Sequence, residues 1–298
     1  MTLAPIALFV YNRPVHARRT IEALLRNPEA RDSELYVFSD GAKDEQAAPK
    51  VDEVRRMVGD IRGFRALHVV ARERNLGLSA SIVSGVGALC RDHGRAIVLE
   101  DDLLTAPGFL RFMNDTLARY ADDSRVMQVS GYMFPVAPDE SNRAAFLPLI
   151  SCWGWGTWQR AWDAYDPDMK GYFTLEADRA LRRRFNLDGA YNYFAMLRQQ
   201  RAGKIDSWGV RWLLSVFMRN GLVLYPPQTL VENIGFDGSG THGVSLGESE
   251  RGIEASSPPV PGAPTAVAVD VGVFEAVKRY LKQSHKGLRP WLARRFGL

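Results

Sequence analysis

Arg95-Ala-Ile-Val-Leu-Glu-Asp-Asp-Leu103 is an apolar run that ends in three consecutive acids, Glu100, Asp101 and Asp102. Ala96 to Leu99 has the length and β-branched content of a buried parallel strand. Carboxylates at the carboxyl end of such a strand stand where open α/β sheets bind ligands. Adjacent like charges repel one another unless a cation or solvent compensates them. Oxygen-only ligands suit Mg²⁺ or Mn²⁺, which bridge protein carboxylates to substrate phosphates. The stretch therefore predicts a metal–diphosphate site at the end of a strand. The plainer alternative is a solvated acidic turn.

Working outward, strands and helices alternate. Ile6 to Tyr11, Leu35 to Phe38 and Leu67 to Val70 read as strands, and Val126 to Ser130 as a fifth after the acidic one. Between them lie helical patterns at His16 to Arg26, Pro49 to Val58, from the Asn75-Leu-Gly-Leu-Ser79 start to Cys90, and at Phe109 to Tyr120. Such alternation predicts a parallel sheet with helices on both faces. The second half differs. It holds all seven tryptophans, beginning with Cys152-Trp-Gly-Trp-Gly-Thr-Trp158. A helix is expected at Trp208 to Met218 and a short strand at Leu222 to Tyr225. A glycine-dense loop follows from Glu232 to Gly243, then a Pro/Ser/Ala-rich linker.

The 298 residues, 46% hydrophobic and 24% charged, suit an ordinary globular core. A net charge of +4 gives no case for nucleic acid. Two cysteines, Cys90 and Cys152, are too few for a disulfide framework and suit a reducing cytosol. No apolar run is long enough to span a bilayer. The apolar start, ended by Arg13 and Pro14, reads as a first strand and not as a signal peptide.

The order of motifs resembles the GT-A glycosyltransferases, and within them the N-acetylglucosaminyltransferase I type. The resemblance covers roughly residues 5 to 245. It rests on Ala7-Leu-Phe-Val-Tyr-Asn-Arg-Pro14, on Phe38-Ser-Asp-Gly41, and on Ile97-Val-Leu-Glu-Asp-Asp-Leu-Leu-Thr-Ala-Pro-Gly-Phe109, which is similar to that family's Glu-Asp-Asp form of the DXD motif. Lys204-Ile-Asp-Ser-Trp208 falls where the family carries its catalytic aspartate. Gly235 to Gly243 falls at its glycine-rich, histidine-containing loop. The tryptophan region departs from the eukaryotic enzymes. The implied fold is GT-A, a mostly parallel central sheet flanked by helices with a small acceptor-side subdomain. The implied division is a nucleotide-sugar-binding half at 1–130, an acceptor-binding and catalytic half of the same domain at 131–253, a linker at 254–266 and a basic amphipathic tail at 267–298.

Several roles follow. Asp102 is the expected metal ligand, for Mn²⁺ or Mg²⁺, as the resemblance implies. Glu100 and Asp101 would orient ribose or metal-bound water. Arg13 can pair with the diphosphate through its planar fork; otherwise it is a surface arginine before a proline. Asp40 can accept from a ribose hydroxyl or a base N–H, or form a simple Asp-Gly turn. Asn75 would cap a helix whose N–H groups favour the anionic donor, or serve as an ordinary N-cap.

Asp206 is the expected general base, with Asp163, Asp166 and Asp168 as competitors and a helix cap as the plain alternative. Attack from the face opposite the diphosphate predicts inversion. His242 would join the metal or the phosphates; otherwise it is a solvent-exposed loop histidine. Trp153, Trp155 and Trp208 are offered to the acceptor, as stacking faces or as a screen against water near Asp206, with plain core packing as the alternative for the first two. Lys278, Arg279, Lys282, Lys286, Arg289, Arg294 and Arg295 are interleaved with apolar residues, a pattern suited to an anionic membrane surface or to a solvated helix packed on the domain.

The expected protein is a cytoplasmic, peripherally bound inverting enzyme. It would use a UDP-sugar, with N-acetylglucosamine the first to try, to extend a bacterial surface glycan, free or lipid-linked. Two rivals are a sugar-phosphate nucleotidyltransferase and a non-catalytic carbohydrate-binding protein. The first would carry Gly-x-Gly-x-x-Arg after strand one, where this chain has Tyr11-Asn-Arg-Pro14.

Overall fold

The computed structural model of the chain describes residues 2–136, 143–237, 264 and 266–287, with 284–287 described by backbone alone. The first strands are β1 (Ile6–Val10), β2 (Glu34–Ser39), β3 (Ala66–Ala71) and β4 (Arg95–Glu100). They are parallel in the order β3-β2-β1-β4. All five residues of β1 are buried, as expected for a strand covered on both faces. Helices α1 (Pro14–Leu25), α2 (Ala48–Gly59) and α3 (Leu78–His93) connect them. Pro14 occupies the first turn of α1, where its missing N–H removes no helix bond.

The chain continues through β5 (Leu103–Thr105), α4 (Phe109–Arg119), β6 (Val126–Ser130), β7 (Ala145–Leu147), β8 (Trp155–Trp158) and α5 (Gln159–Trp162). Three short helices follow, α6 (Gly171–Ala177), α7 (Arg179–Phe185) and α8 (Tyr193–Arg201). Then come α9 (Trp208–Met218), β9 (Leu222–Tyr225), β10 (Val231–Asn233) and α10 (Val271–Gly287). The eight-stranded sheet runs β3-β2-β1-β4-β8-β6-β9-β7, and β5 pairs with β10 in a separate antiparallel ribbon. The class is the expected one, a mostly parallel sheet flanked by helices. Helices α3, α5 and α9 lie together on one face; α4 packs on β6 and β8 from the other.

The tryptophan-rich segment is where the sequence reading needs correcting. Trp155–Trp158 is a central strand, antiparallel to both β4 and β6, with Val98 paired to Trp155 and Ile97 to Gly156. Alternate residues point to opposite faces. Trp155 faces the α9 side, where it stacks on Trp208 at 5.0 Å and lies 5.6 Å from Trp162. Gly156 faces α4, where a Cβ would meet Met113 Cε at 3.0 Å and the Ala96 carbonyl at 3.1 Å. The Trp-Gly alternation thus lets a helix sit directly on the strand while large rings fill the other face. Trp155 and Trp208 are 1% and 2% exposed, and Trp153 packs against Tyr132 and Phe236. These three rings are core, so the expected acceptor-stacking role does not hold for them. Trp155→Ala is expected to destabilise the protein by about 3–5 kcal/mol through the cavity it leaves, measured by urea unfolding.

The second half also shares the sheet of the first, through β7, β8 and β9. The expected linker lies almost wholly outside the described residues, as do residues 288–298 of the tail. Within α10, Val277 and Leu281 are fully buried, and Tyr280 meets Phe134 edge-on. That apolar stripe, with Val277 and Leu281, is used in packing on the domain and is not open to a membrane. No described helix is long and apolar enough to cross one.

Candidate functional site

Parallel pairing of β1 and β4 sets Phe9 opposite Glu100. The two chains therefore leave the sheet side by side at its carboxyl edge, Tyr11 to Arg13 from one strand and Asp101 to Asp102 from the other. Arg13 Nη1 donates to Asp102 Oδ2 at 2.9 Å. The other carboxylate oxygen, Asp102 Oδ1, is buried and has no hydrogen-bond partner. The Tyr11 N–H donates to Asp101 Oδ2 at 3.3 Å, and Thr20 Oγ1 donates to the Asp101 carbonyl at 2.8 Å. Arg13, Glu100, Asp101 and Asp102 are thus brought together at this edge.

The chain after β10 closes over them. The Ile234 N–H donates to the Asp102 carbonyl at 2.9 Å. Gly235 is pressed so close that a Cβ there would collide with Asp102 Oδ2. Arg13 Nη2 reaches the Gly235 carbonyl and Asp237 Oδ1, both at 3.4 Å. His16 Nε2 lies 3.1 Å from Asp237 Oδ2. His16 and Asp237 were not singled out in the sequence. Arg13-Pro-Val-His16 carried a signal, since residues three apart at a helix start share a face; Asp237 carried none.

Three neighbouring acids with one arginine are electrostatically costly. Burial, and then the Asp102 and Asp101 charges, push Glu100 well above the usual carboxylate range. Burial and then Asp102 push Asp101 up to about 7, against the pull of Arg13. Asp102 is raised by burial and held back by Arg13. Burial and Arg13 lower His16, and Asp237 opposes them. A folded-state carboxyl raised above its unfolded value binds extra protons in the folded state, so stability falls as pH rises between the two values. In metal-free protein, thermal stability is therefore expected to decline from about pH 4 to about pH 7 through Asp101. The decline should flatten in Asp101→Asn, as followed by differential scanning calorimetry across that range.

The donor set fits a hard divalent cation. The orphaned, buried Asp102 Oδ1 is an anionic oxygen that hydrogen bonding leaves unsatisfied, and such an atom calls for a cation. Among the described residues no three His, Cys, Asp or Glu side chains converge on one point. The protein would supply one or two ligands, and phosphate and water the rest, as is usual for Mg²⁺.

Other expected residues are placed differently. Asp40 Oδ1 accepts from the N–H of Gly41 at 3.0 Å and of Leu76 at 2.9 Å, and Oδ2 from that of Gly77 at 2.9 Å. Its carboxylate clamps the 75–77 turn onto β2, which corrects its reading as a donor-binding acceptor. Asn75 is not the cap of α3; it donates to the Gly41 carbonyl at 2.8 Å, and Gly77 is the N-cap with φ 77°. Asp166 caps a turn by accepting from the N–H groups of Asp168 and Lys170, which removes it as a competing base. His242 lies outside the described residues.

Asp206 is 67% exposed and ion-paired with Arg211. Arg211 also donates to Ser79 Oγ at 3.0 Å and to the Ser207 carbonyl at 3.1 Å, so it ties Asp206 to the start of α3. Ser207, not Asp206, caps α9 by accepting from the Val210 N–H. Two residues on, Trp208 stacks on Trp155, which pairs with Val98 next to the end of β4. Asp206 is thus carried to the carboxyl edge of the sheet. A pocket lined by Thr2, Leu3, Glu29, Asp32 and Arg65 lies at the opposite, amino edge, where open α/β sheets do not place their ligands.

No family model and no curated protein matches the chain. Solved structures similar to it include the mannosyltransferase PcManGT from Pyrobaculum calidifontis in complex with GDP-Man and Mn²⁺, at 16% identity over 52% of this chain and 44% of that one, with a TM-score of 0.37. They also include S. aureus TarS, at 12% identity over 74% of this chain and 35% of that one, with a TM-score of 0.36. The chain spans less than half the length of either.

Proposed function

We infer that the chain is a metal-dependent glycosyltransferase of GT-A type, moving a sugar from a nucleoside-diphosphate donor to a hydroxyl of a glycan acceptor. The observation that carries this reading is the Asp102 carboxylate at the carboxyl end of β4, one oxygen on Arg13 and the other buried without a partner. Asp102 would hold Mn²⁺ or Mg²⁺, and a bound cation stabilises the charge that builds on a departing diphosphate. Arg13 would orient the phosphates, since its guanidinium already offers nitrogens on both sides of the site. Asp206, held by Arg211, would take the proton of the acceptor hydroxyl as its oxygen bonds to the anomeric carbon. The bond from that carbon to the diphosphate oxygen breaks on the opposite face, which inverts the centre. A UDP-sugar is the first donor to try, N-acetylglucosamine the first sugar, and a surface or lipid-linked glycan the acceptor class.

The burial of Trp153, Trp155 and Trp208 removes these three rings as the stacking surface that a purely carbohydrate-binding protein would need. A thermal-shift panel of nucleoside diphosphates, with and without Mn²⁺, tests the reading. One nucleotide should raise Tm only when the metal is present, because a ligand that binds only the folded state stabilises it. Equal Tm values across the panel would overturn it.

A further inference from the structure

Asp237 sits where its charge is least welcome. The site already gathers Glu100, Asp101 and Asp102, all pushed toward protonation by burial. A fourth carboxylate is nevertheless held there, one oxygen toward Arg13 Nη2 at 3.4 Å and the other toward His16 Nε2 at 3.1 Å. The Arg13 and His16 side chains are 14% and 11% exposed, whereas Asp237 is 46% exposed. With its proton on Nε2, the His16 imidazole therefore joins Arg13 Nη2 in facing one reachable anion. Arg13 Nη1 is committed to Asp102, whereas Nη2, which also reaches the Gly235 carbonyl, faces Asp237 together with the imidazole. Carboxylate and phosphate present similar pairs of oxygens to such a fork.

We propose that Arg13 and His16 form an anion seat for the donor's diphosphate, and that Asp237 fills this seat in the ligand-free chain and competes with the nucleotide for it. His16 becomes a donor-binding residue, and the contact of Asp237 with it a built-in brake on binding. Gly235 makes the arrangement possible, because only a residue without a Cβ lets the 234–237 segment lie against Asp102. The contact closes a segment that follows β10, far from Arg13 in sequence, so its making and breaking would couple donor binding to the position of that segment. This rests on reading the site as a diphosphate site, and the test separates the two.

Isothermal titration of the full chain with inorganic pyrophosphate and with UDP, each with and without Mn²⁺, compares the parent with Asp237→Asn, His16→Leu and His16→Gln. Asp237→Asn should bind both probes about tenfold more tightly, as expected from removing one charged competitor. His16→Leu should bind about tenfold more weakly, and His16→Gln, which keeps an N–H donor, should recover most of that loss. Asp237 is half exposed, so its variant is expected to fold; thermal melts of all four proteins check this.

Parental affinity in Asp237→Asn would overturn the proposal and leave the glycosyltransferase reading standing. Weaker binding in that variant would overturn it in another way, making Asp237 a ligand of the cation. Tighter pyrophosphate binding in Asp237→Asn with no response to Mn²⁺ or to the nucleoside would keep the seat and overturn the glycosyltransferase reading. Absence of binding to either probe in every protein would overturn both.

Discussion

Asp102→Asn is expected to remove Mn²⁺-dependent nucleotide binding and to lower sugar transfer by about a hundred- to a thousandfold, the scale seen when one preorganised electrostatic contact to a developing charge is lost. The amide keeps an oxygen for Arg13 but no anionic oxygen for a cation. Two effects must be separated. The substitution withdraws a charge that pushes up both Glu100 and Asp101, so the metal-free variant should melt at or above the parental temperature. It should also lose the Mn²⁺ response. Isothermal titration with Mn²⁺ and UDP, alongside melts without metal, reads both. A variant that still binds nucleotide in a metal-dependent way would remove Asp102 as the ligand and with it the basis of the proposed activity.

Asp206→Asn is expected to act on a different step. The side chain is 67% exposed, and its largely buried partner Arg211 keeps its bonds to Ser79 Oγ and the Ser207 carbonyl without it, so folding and donor affinity should be little changed. The acceptor proton, however, would have no base. Loss of a positioned general base costs about 10²–10⁴-fold in rate, which should appear in kcat with the donor Kd intact. Single-turnover transfer assays combined with nucleotide titration separate the two. Transfer at the parental rate would leave Asp206 as a surface acid paired with Arg211.

The sequence made the sheet legible where strands are continuous apolar runs bounded by turn residues. β1, β4, β6 and β9 fall within a residue or two of their expected bounds, and α9 falls on them. Arg13 and Asp102 were legible as residues that follow strand ends; that β1 and β4 are neighbours, so that the two side chains pair, is known only from the sheet order. What the sequence concealed has three physical origins. β8 reads as rings alternating with glycines, and its identity depends on α4 lying on one face and α9 on the other, which is tertiary information. β5, β7 and β10 have three residues each, too few to show a period. Asp40 and Asn75 carry acceptors and donors at strand and turn ends, where serving a ligand and clamping the backbone require the same chemistry. Only the partners decide between them: here, the N–H groups of Leu76 and Gly77.

The position of β8 has a consequence for how the chain assembles on the ribosome. β4 and β6 are complete once Ser130 has been synthesised, yet the slot between them is filled by residues 155–158. Until those emerge, Ala96–Leu99 presents an unpaired apolar rim, the kind of template onto which other nascent chains dock. The two halves of the sequence are therefore not successive folding units. The N-terminal half reaches its native shape only after the tryptophan strand has threaded into it, and a protein cut after Ser130 would self-associate in preference to standing alone.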